Sequence, residues 1–196
     1  MTRFASLHRQ TKETDISLSL NVDGQGKNQI ETGIGFFDHM LDLLGRHGMM
    51  DLTVEAKGDI HIDYHHTVED VGICLGQVLK QALGDLKGIN RYGEARVPMS
   101  EAAASVVLDI CNRPYLVYQA KFPAEKTGDF NADLVKEFFE AVANNAGFTL
   151  HIYMERGDNL HHCIEAMFKA FARALDRATC IDIRQKDSIP STKGML

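Results

Sequence analysis

Apolar and polar residues alternate through Arg3 to Gln10 and through Asp15 to Asn21, the period-two pattern of half-buried strands. Asn28 to Thr32 is a third candidate strand. The period then changes. Within Gly35 to Gly48, residues Phe36, Phe37, Met40, Leu41 and Leu44 fall on one helical face, and Gly48 is read as the stop. Asp51 to Ala56 predicts another strand. His65 to Leu83 predicts a second helix, with Val68, Ile73, Leu75, Val78, Leu79 and Leu83 apolar.

The same order then recurs. Ala95 to Met99, Ala103 to Asp109 and Tyr115 to Phe122 read as strands. Asp133 to Asn145 reads as a helix, Thr149 to Glu155 as a strand and Leu160 to Arg177 as a helix. Each half spells three strands, helix, strand, helix. The likeness extends to residues. GDIHIDYHHTVEDVGICLGQVLKQAL answers GDNLHHCIEAMFKAFARAL, and ETDISLSLN answers EAAASVVLD, which sets Glu13 opposite Glu101. We therefore expect an α+β fold made by internal duplication of a small β-sheet plus two helices, with halves related by pseudo-two-fold symmetry. The halves are residues 1–90 and 91–180, joined near Lys87 to Gly93, and residues 181–196 form a polar, irregular tail.

Composition narrows the chemistry. The 196 residues, 44% apolar and 24% charged, are ordinary for a globular chain with a buried core. A net charge of -6 without a basic run speaks against nucleic acid as a partner. No stretch approaches the roughly 18 apolar residues of a membrane span. The N-terminus is charged and alternating, unlike a secretory signal. The cysteines Cys74, Cys111, Cys163 and Cys180 are scattered, so we expect no disulfides and a reducing, cytoplasmic setting. The unusual feature is nine histidines, several of them clustered.

Each repeat opens a helix with His-His-x-x-Glu. His65 and Glu69 are four residues apart and share a helical face, as do His161 and Glu165. His66 and His162 sit about 100° further round and address a different ion. By symmetry, His66 would complete the site built on His161 and Glu165, and His162 the site built on His65 and Glu69. Imidazole plus carboxylate without thiolate suits Mn, Fe or Zn. Cys163 has no cysteine counterpart and reads as a core thiol. Asp70 faces Ala166 in the other copy, so a supporting or surface role fits it better than ligation. The preceding helices carry His39 and Glu137 at matching places, and both become candidate ligands.

The segments GFFDHMLDLLGRHG, DYHHTVEDVGICLG, NRYGEARVPM, NAGFTLHI, HHCIEAMFKAFARAL and the closing PSTKG run in order along nearly the whole chain. In these the sequence resembles the imidazoleglycerol-phosphate dehydratase family. The resemblance implies two fused α/β halves and a cytoplasmic, large symmetric homo-oligomer of about 24 copies, with active sites between subunits. It implies a pair of Mn2+ ions per active site. The family's ligands fall on His39, His65, His66, Glu69, His161, His162 and Glu165; the remaining position, commonly His in the family, is Glu137 here. Its substrate contacts fall on Glu13, Arg91, Arg113, Lys169, Ser191 and Lys193, so the tail would contribute to the substrate site. Basic groups and hydroxyls of this kind suit a small-molecule phosphate.

The implied reaction removes water from imidazole glycerol phosphate, giving imidazole acetol phosphate. The C–H bond to be broken has no neighbouring carbonyl and is weakly acidic. Ring nitrogens held by cations would let the azole push out the hydroxyl, through a diazafulvene-like state. A carboxylate would then move the carbon-bound proton, and we expect Glu13 in that role, with Glu101 as its rival. Two other readings use the same motif. A two-metal phosphatase would release phosphate. A non-catalytic assembly protein would have closed coordination and no pocket.

Overall fold

The computed structural model describes residues 3–196, so Met1 and Thr2 of the expected first half lie outside the described residues. Strands β1 (Phe4–Gln10), β2 (Thr14–Asn21), β3 (Asn28–Glu31) and β4 (Asp51–Gly58) form one sheet in the order β1-β2-β4-β3. Strands β5 (Tyr92–Met99), β6 (Ala102–Ile110), β7 (Tyr115–Gln119) and β10 (Phe148–Arg156) form a second in the order β5-β6-β10-β7. The two orders correspond strand for strand. In each, an antiparallel hairpin meets a third strand, and the edge strand beyond pairs parallel with it. A parallel pair needs a crossover, and helices α1 (Gly35–His47) and α3 (Asp133–Ala146) supply it.

Alternation places one face of each sheet inside. Ile16, Leu18 and Leu20 of β2 and Leu52 and Val54 of β4 are buried, as are Val106 and Leu108 of β6 and Phe148, Leu150 and Ile152 of β10. Against these faces pack α1 and α3 with α2 (His65–Leu83) and α4 (Leu160–Thr179). The helices pair across the halves, α1 with α4 and α2 with α3. Phe37, Phe138, Phe139, Phe168 and Phe171 fill the middle of this layer. The cross-pairing sets helix openings of one half beside helices of the other.

Several expectations shift in detail. Strand β5 starts at Tyr92, three residues before alternation becomes clear, because Gly93 hides the pattern. Gly93 sits where a Cβ would meet the Ala174 carbonyl at 1.9 Å, so α4 packs directly on the β5 backbone. Strand β7 ends at Gln119, and a short hairpin of β8 (Lys126–Thr127) and β9 (Phe130–Asn131) follows it. Gly48 does not stop α1 through a left-handed conformation. Its φ is -81°, and Met49 takes the positive φ of 55°. Glycine is favoured at 48 because a Cβ would meet the Leu44 backbone carbonyl at 2.8 Å. Asp70 is buried, not at the surface. Its Oδ2 accepts from Thr14 Oγ1 at 2.5 Å and lies 2.6 Å from Arg9 Nη1, tying α2 to the first hairpin. The repeat partners of Thr14 and Asp70 are Ala102 and Ala166, so only the first half has this clamp.

The tail folds back on the junction between halves. The Asp182 N–H donates to the Gly88 carbonyl, and the Gly88 N–H donates to the Ser188 carbonyl. Cys74, Cys111 and Cys163 are buried free thiols, and Cys180 is exposed and free. Among the described residues, no helix is long and apolar enough to cross a membrane.

Candidate active site

The α1–α4 pair brings three predicted ligands together. One donor atom from each of His39, His161 and Glu165 lies within 4.8 Å of the others. Glu165 is the hub. Its Oε2 is 3.2 Å from His161 Nε2 and 3.6 Å from His39 Nε2. Its Oε1 is 2.5 Å from Lys169 Nζ, one turn along α4. Burial pushes the Glu165 carboxyl up, but Lys169 and the two imidazoles outweigh it and hold the group below its ordinary value. Phe36 packs edge-on against His161 with ring centroids 5.2 Å apart, and Phe130 of the β9 hairpin backs Phe36 at 5.0 Å. His47, whose carbonyl accepts from Arg173, is held below its ordinary value by burial and then by the charges of Lys169 and Arg173.

The α2–α3 pair makes the counterpart. His65 Nε2 is 3.6 Å from Glu69 Oε2. His65 and Glu137 line one cavity of about 450 Å³, together with Asp63, Lys126, Asp129 and Asp133. His39 thus stands beside His161 and Glu165 of the opposite half, and Glu137 shares a cavity with His65 of the opposite half. Sequence alone matched the two residues to each other but did not say which pair each would meet.

His66 and His162 are outside the three-residue cluster and are held differently. His66 Nδ1 lies 3.0 Å from Asp59 Oδ2 and 3.2 Å from Oδ1, and this partner raises its pKa above the ordinary imidazole value. His162 Nδ1 lies 2.8 Å from Glu101 Oε2. Glu101 Oε1 also accepts from the backbone N–H of Asn159 at 2.9 Å and of Asp158 at 3.3 Å. The His162 hydrogen bond leads in pulling the Glu101 carboxyl down to about 2. Glu13 is exposed near His66.

Four of the predicted substrate contacts meet at one place. Arg91, Arg113, Ser191 and Lys193 line a cavity of about 420 Å³. Arg91 sits on the junction with a positive φ of 72°. Its Nε and Nη2 donate to Asp109 at 2.7 and 3.1 Å, and its Nη1 donates to the Pro190 carbonyl at 2.9 Å. Asp109 holds the guanidinium above its ordinary pKa. Arg113 Nη2 is 3.8 Å from Asp109 and mostly exposed. Arg91 therefore ties the tail down, while Arg113 and Lys193 keep charge available. Lys169 is not part of this cavity; it belongs to the Glu165 cluster. Sequence reasoning missed Asp59 and Asp109. The i,i+4 spacing of Asp109 and Arg113 was the available signal for the second.

A duplicated α+β fold that carries one three-residue imidazole–carboxylate cluster, a second His–Glu pair and a separate arginine-lined cavity has the groups of an enzyme for a small-molecule substrate. The model of the imidazoleglycerol-phosphate dehydratase family matches residues 32–175. The imidazoleglycerol-phosphate dehydratase of Geobacter metallireducens is 58% identical over 196 residues, all of both chains. That of Acetivibrio thermocellus is 59% identical over the same full length. The crystal structure of the Staphylococcus aureus enzyme matches with a TM-score of 0.84 at 44% identity, covering 91% of this chain and 99% of that one. The Pyrococcus furiosus enzyme, solved in complex with (S)-C348, matches at 0.84 and 34% identity, covering 97% and 100%. The chain belongs to the imidazoleglycerol-phosphate dehydratase family, hydro-lyases of histidine biosynthesis.

Proposed function

We propose that this chain dehydrates imidazole glycerol phosphate to imidazole acetol phosphate with a pair of Mn2+ ions per active site. The ligands would be His39, His65, His66, Glu69, Glu137, His161, His162 and Glu165. The observation that carries the reading is the convergence of His39, His161 and Glu165 within 4.8 Å. Two imidazoles and a carboxylate without thiolate form a donor set that fits Mn2+. When bound, the cations would favour loss of a ring N–H proton, so that the electron-rich azole could push out the neighbouring hydroxyl.

The chain's own groups do the rest. Arg113, Lys193 and Ser191 bind the phosphate through charge-assisted hydrogen bonds, and Arg91 holds the tail that carries two of them. The hydroxyl on the ring-bearing carbon would take up that proton and leave as water. The Glu13 carboxylate takes the proton from the neighbouring carbon and delivers it to the ring-bearing carbon as the enol becomes the ketone, the enol O–H proton going back to the ring nitrogen. Such a group contributes about 10² to 10⁴-fold. Glu101 is less suited, because both its oxygens are engaged by His162, Asp158 and Asn159.

Within one chain the arginine-lined cavity shares no residue with the cavity lined by His65 and Glu137. This supports active sites completed between copies, in a large symmetric homo-oligomer of about 24 subunits. There, His66 and His162 would complete sites that a neighbouring copy begins. Glu13→Gln tests the mechanism: turnover should nearly vanish at normal metal content. Persisting turnover, with loss in Glu101→Gln instead, would overturn it.

A further inference from the structure

The two halves hold the second histidine of each His-His pair with carboxylates from non-equivalent positions. In the first half the partner of His66 is Asp59, in the loop before α2. In the second, the partner of His162 is Glu101, in the β5–β6 turn. The repeat sets Asp59 opposite Asp158 and Glu101 opposite Glu13. The clamp has therefore changed places between copies.

The turns explain the exchange. Strands β5 and β6 pair up to Met99 and Ala102, leaving only Ser100 and Glu101 between them, with Ser100 at a φ of 52°. This tight turn presents Glu101 to the opening of α4, where the Asp158 and Asn159 N–H groups also donate to it. The first hairpin pairs only up to Gln10 and Asp15. Its wider loop is organised by Thr11, whose Oγ1 accepts from the N–H groups of Glu13 and Thr14 at 3.0 Å each. The Glu13 carbonyl accepts from the Asp59 N–H. The Glu13 carboxylate stays exposed, with no hydrogen bond or ion pair to any described residue.

We propose that Asp59 and Glu101 are positioning residues for His66 and His162, and that the exchange between halves is what leaves Glu13 free for proton transfer. A carboxylate that takes the Nδ1–H fixes the tautomer and ring angle and leaves the Nε2 lone pair for a cation. Only one half needs a free carboxylate beside its histidine. Moving the clamp to Asp59 supplies it without leaving His66 loose. This inference rests on the metal-dependent reading above.

The test is titration of the assembled protein with Mn2+ and, in parallel, Zn2+, by calorimetry, with the Mn2+ electron paramagnetic resonance line shape as a second readout. Asp59→Ala and Glu101→Ala should each weaken binding roughly 10- to 100-fold and alter the line shape, with circular dichroism unchanged. Glu101→Asp should recover part of the affinity. Glu13→Ala should bind both cations as wild type does. Unchanged affinity in Asp59→Ala and Glu101→Ala, or a Glu13→Ala loss as large as theirs, overturns the proposal. Loss of folding in the alanine variants without recovery in Glu101→Asp also counts against it. A wild type that binds neither cation overturns the metal-dependent reading itself.

Discussion

Lys169 Nζ lies 2.5 Å from Glu165 Oε1, one turn apart on α4 and almost out of water. The same carboxylate faces His39 and His161 through its other oxygen. In the metal-free chain, Lys169 is thus the counter-charge of a buried acid. Removing one partner of such a pair leaves an uncompensated charge, at a cost of about 3 kcal/mol. Lys169→Met should lower the melting temperature of chelated protein by roughly 6–12 °C, using the usual 2–4 °C per kcal/mol for chains of this size. With Mn2+ present the deficit should shrink, because the cation takes over the neutralising role. Scanning calorimetry with and without chelator decides it. An equal loss in both conditions would show that Lys169 acts only through packing.

The contact between α2 and α3 depends on glycine. A Cβ at Gly72 would meet the Phe138 carbonyl at 2.9 Å, and one at Gly76 would meet the Val142 carbonyl at 2.8 Å and the Asn145 Cβ at 2.7 Å. Alanine improves helix propensity by about 1 kcal/mol, yet overpacking costs about 1–3 kcal/mol. Since two of the blocking atoms are backbone, the steric cost should win. Gly76→Ala should destabilise by about 1 kcal/mol net and move His65 and Glu69 away from Glu137, lowering the bound-metal stoichiometry. Gly35→Ala is the control, since nothing lies within 4 Å of a Cβ there. Equal stability and metal content in Gly76→Ala would show that the helices separate at no cost.

If neighbouring copies share ligands, the metal also holds the assembly together. Exhaustive chelation should then lower the particle mass, and restoring Mn2+ should return it. Size-exclusion chromatography with light scattering reads this directly. An unchanged elution volume after metal loss, verified by elemental analysis, would mean that protein contacts alone maintain the oligomer.

Much of this architecture is legible in the sequence, for identifiable reasons. Helices α1, α2, α3 and α4 carry one apolar stripe each, and periodicity reads a stripe well. The duplication makes His39 and Glu137 visible as counterparts, which neither residue would be alone. What periodicity does not carry is the identity of the surface each stripe meets. Nothing local to His39 says that α1 packs on α4, and that contact decides which site His39 joins. Symmetry also misleads where turns differ. Glu13 and Glu101 look alike in the repeat, but a two-residue turn and a wider loop give them different neighbours. The β8–β9 hairpin escaped because two residues per strand give no alternation to detect.

Asp51 gives the chain an acid-sensitive joint. Its Oδ1 accepts from the Gln25 N–H at 2.8 Å and the Lys27 N–H at 2.9 Å, fixing the β2–β3 loop to the start of β4. These two donors, in that order, pull its carboxyl below the ordinary 3.8. A depressed folded-state pKa means that the unfolded chain takes up the proton first as pH falls. The contribution is therefore complete above the ordinary carboxylate range and disappears as pH drops from about 4 through the lowered folded value. Asp51→Asn keeps an acceptor but loses the charge, so it should be less stable than wild type at pH 7, by a margin that narrows at pH 2. Urea midpoints at the two pH values measure the difference. A gap that persists undiminished in acid would mean that the asparagine disturbs packing and that the charge on Asp51 contributes nothing.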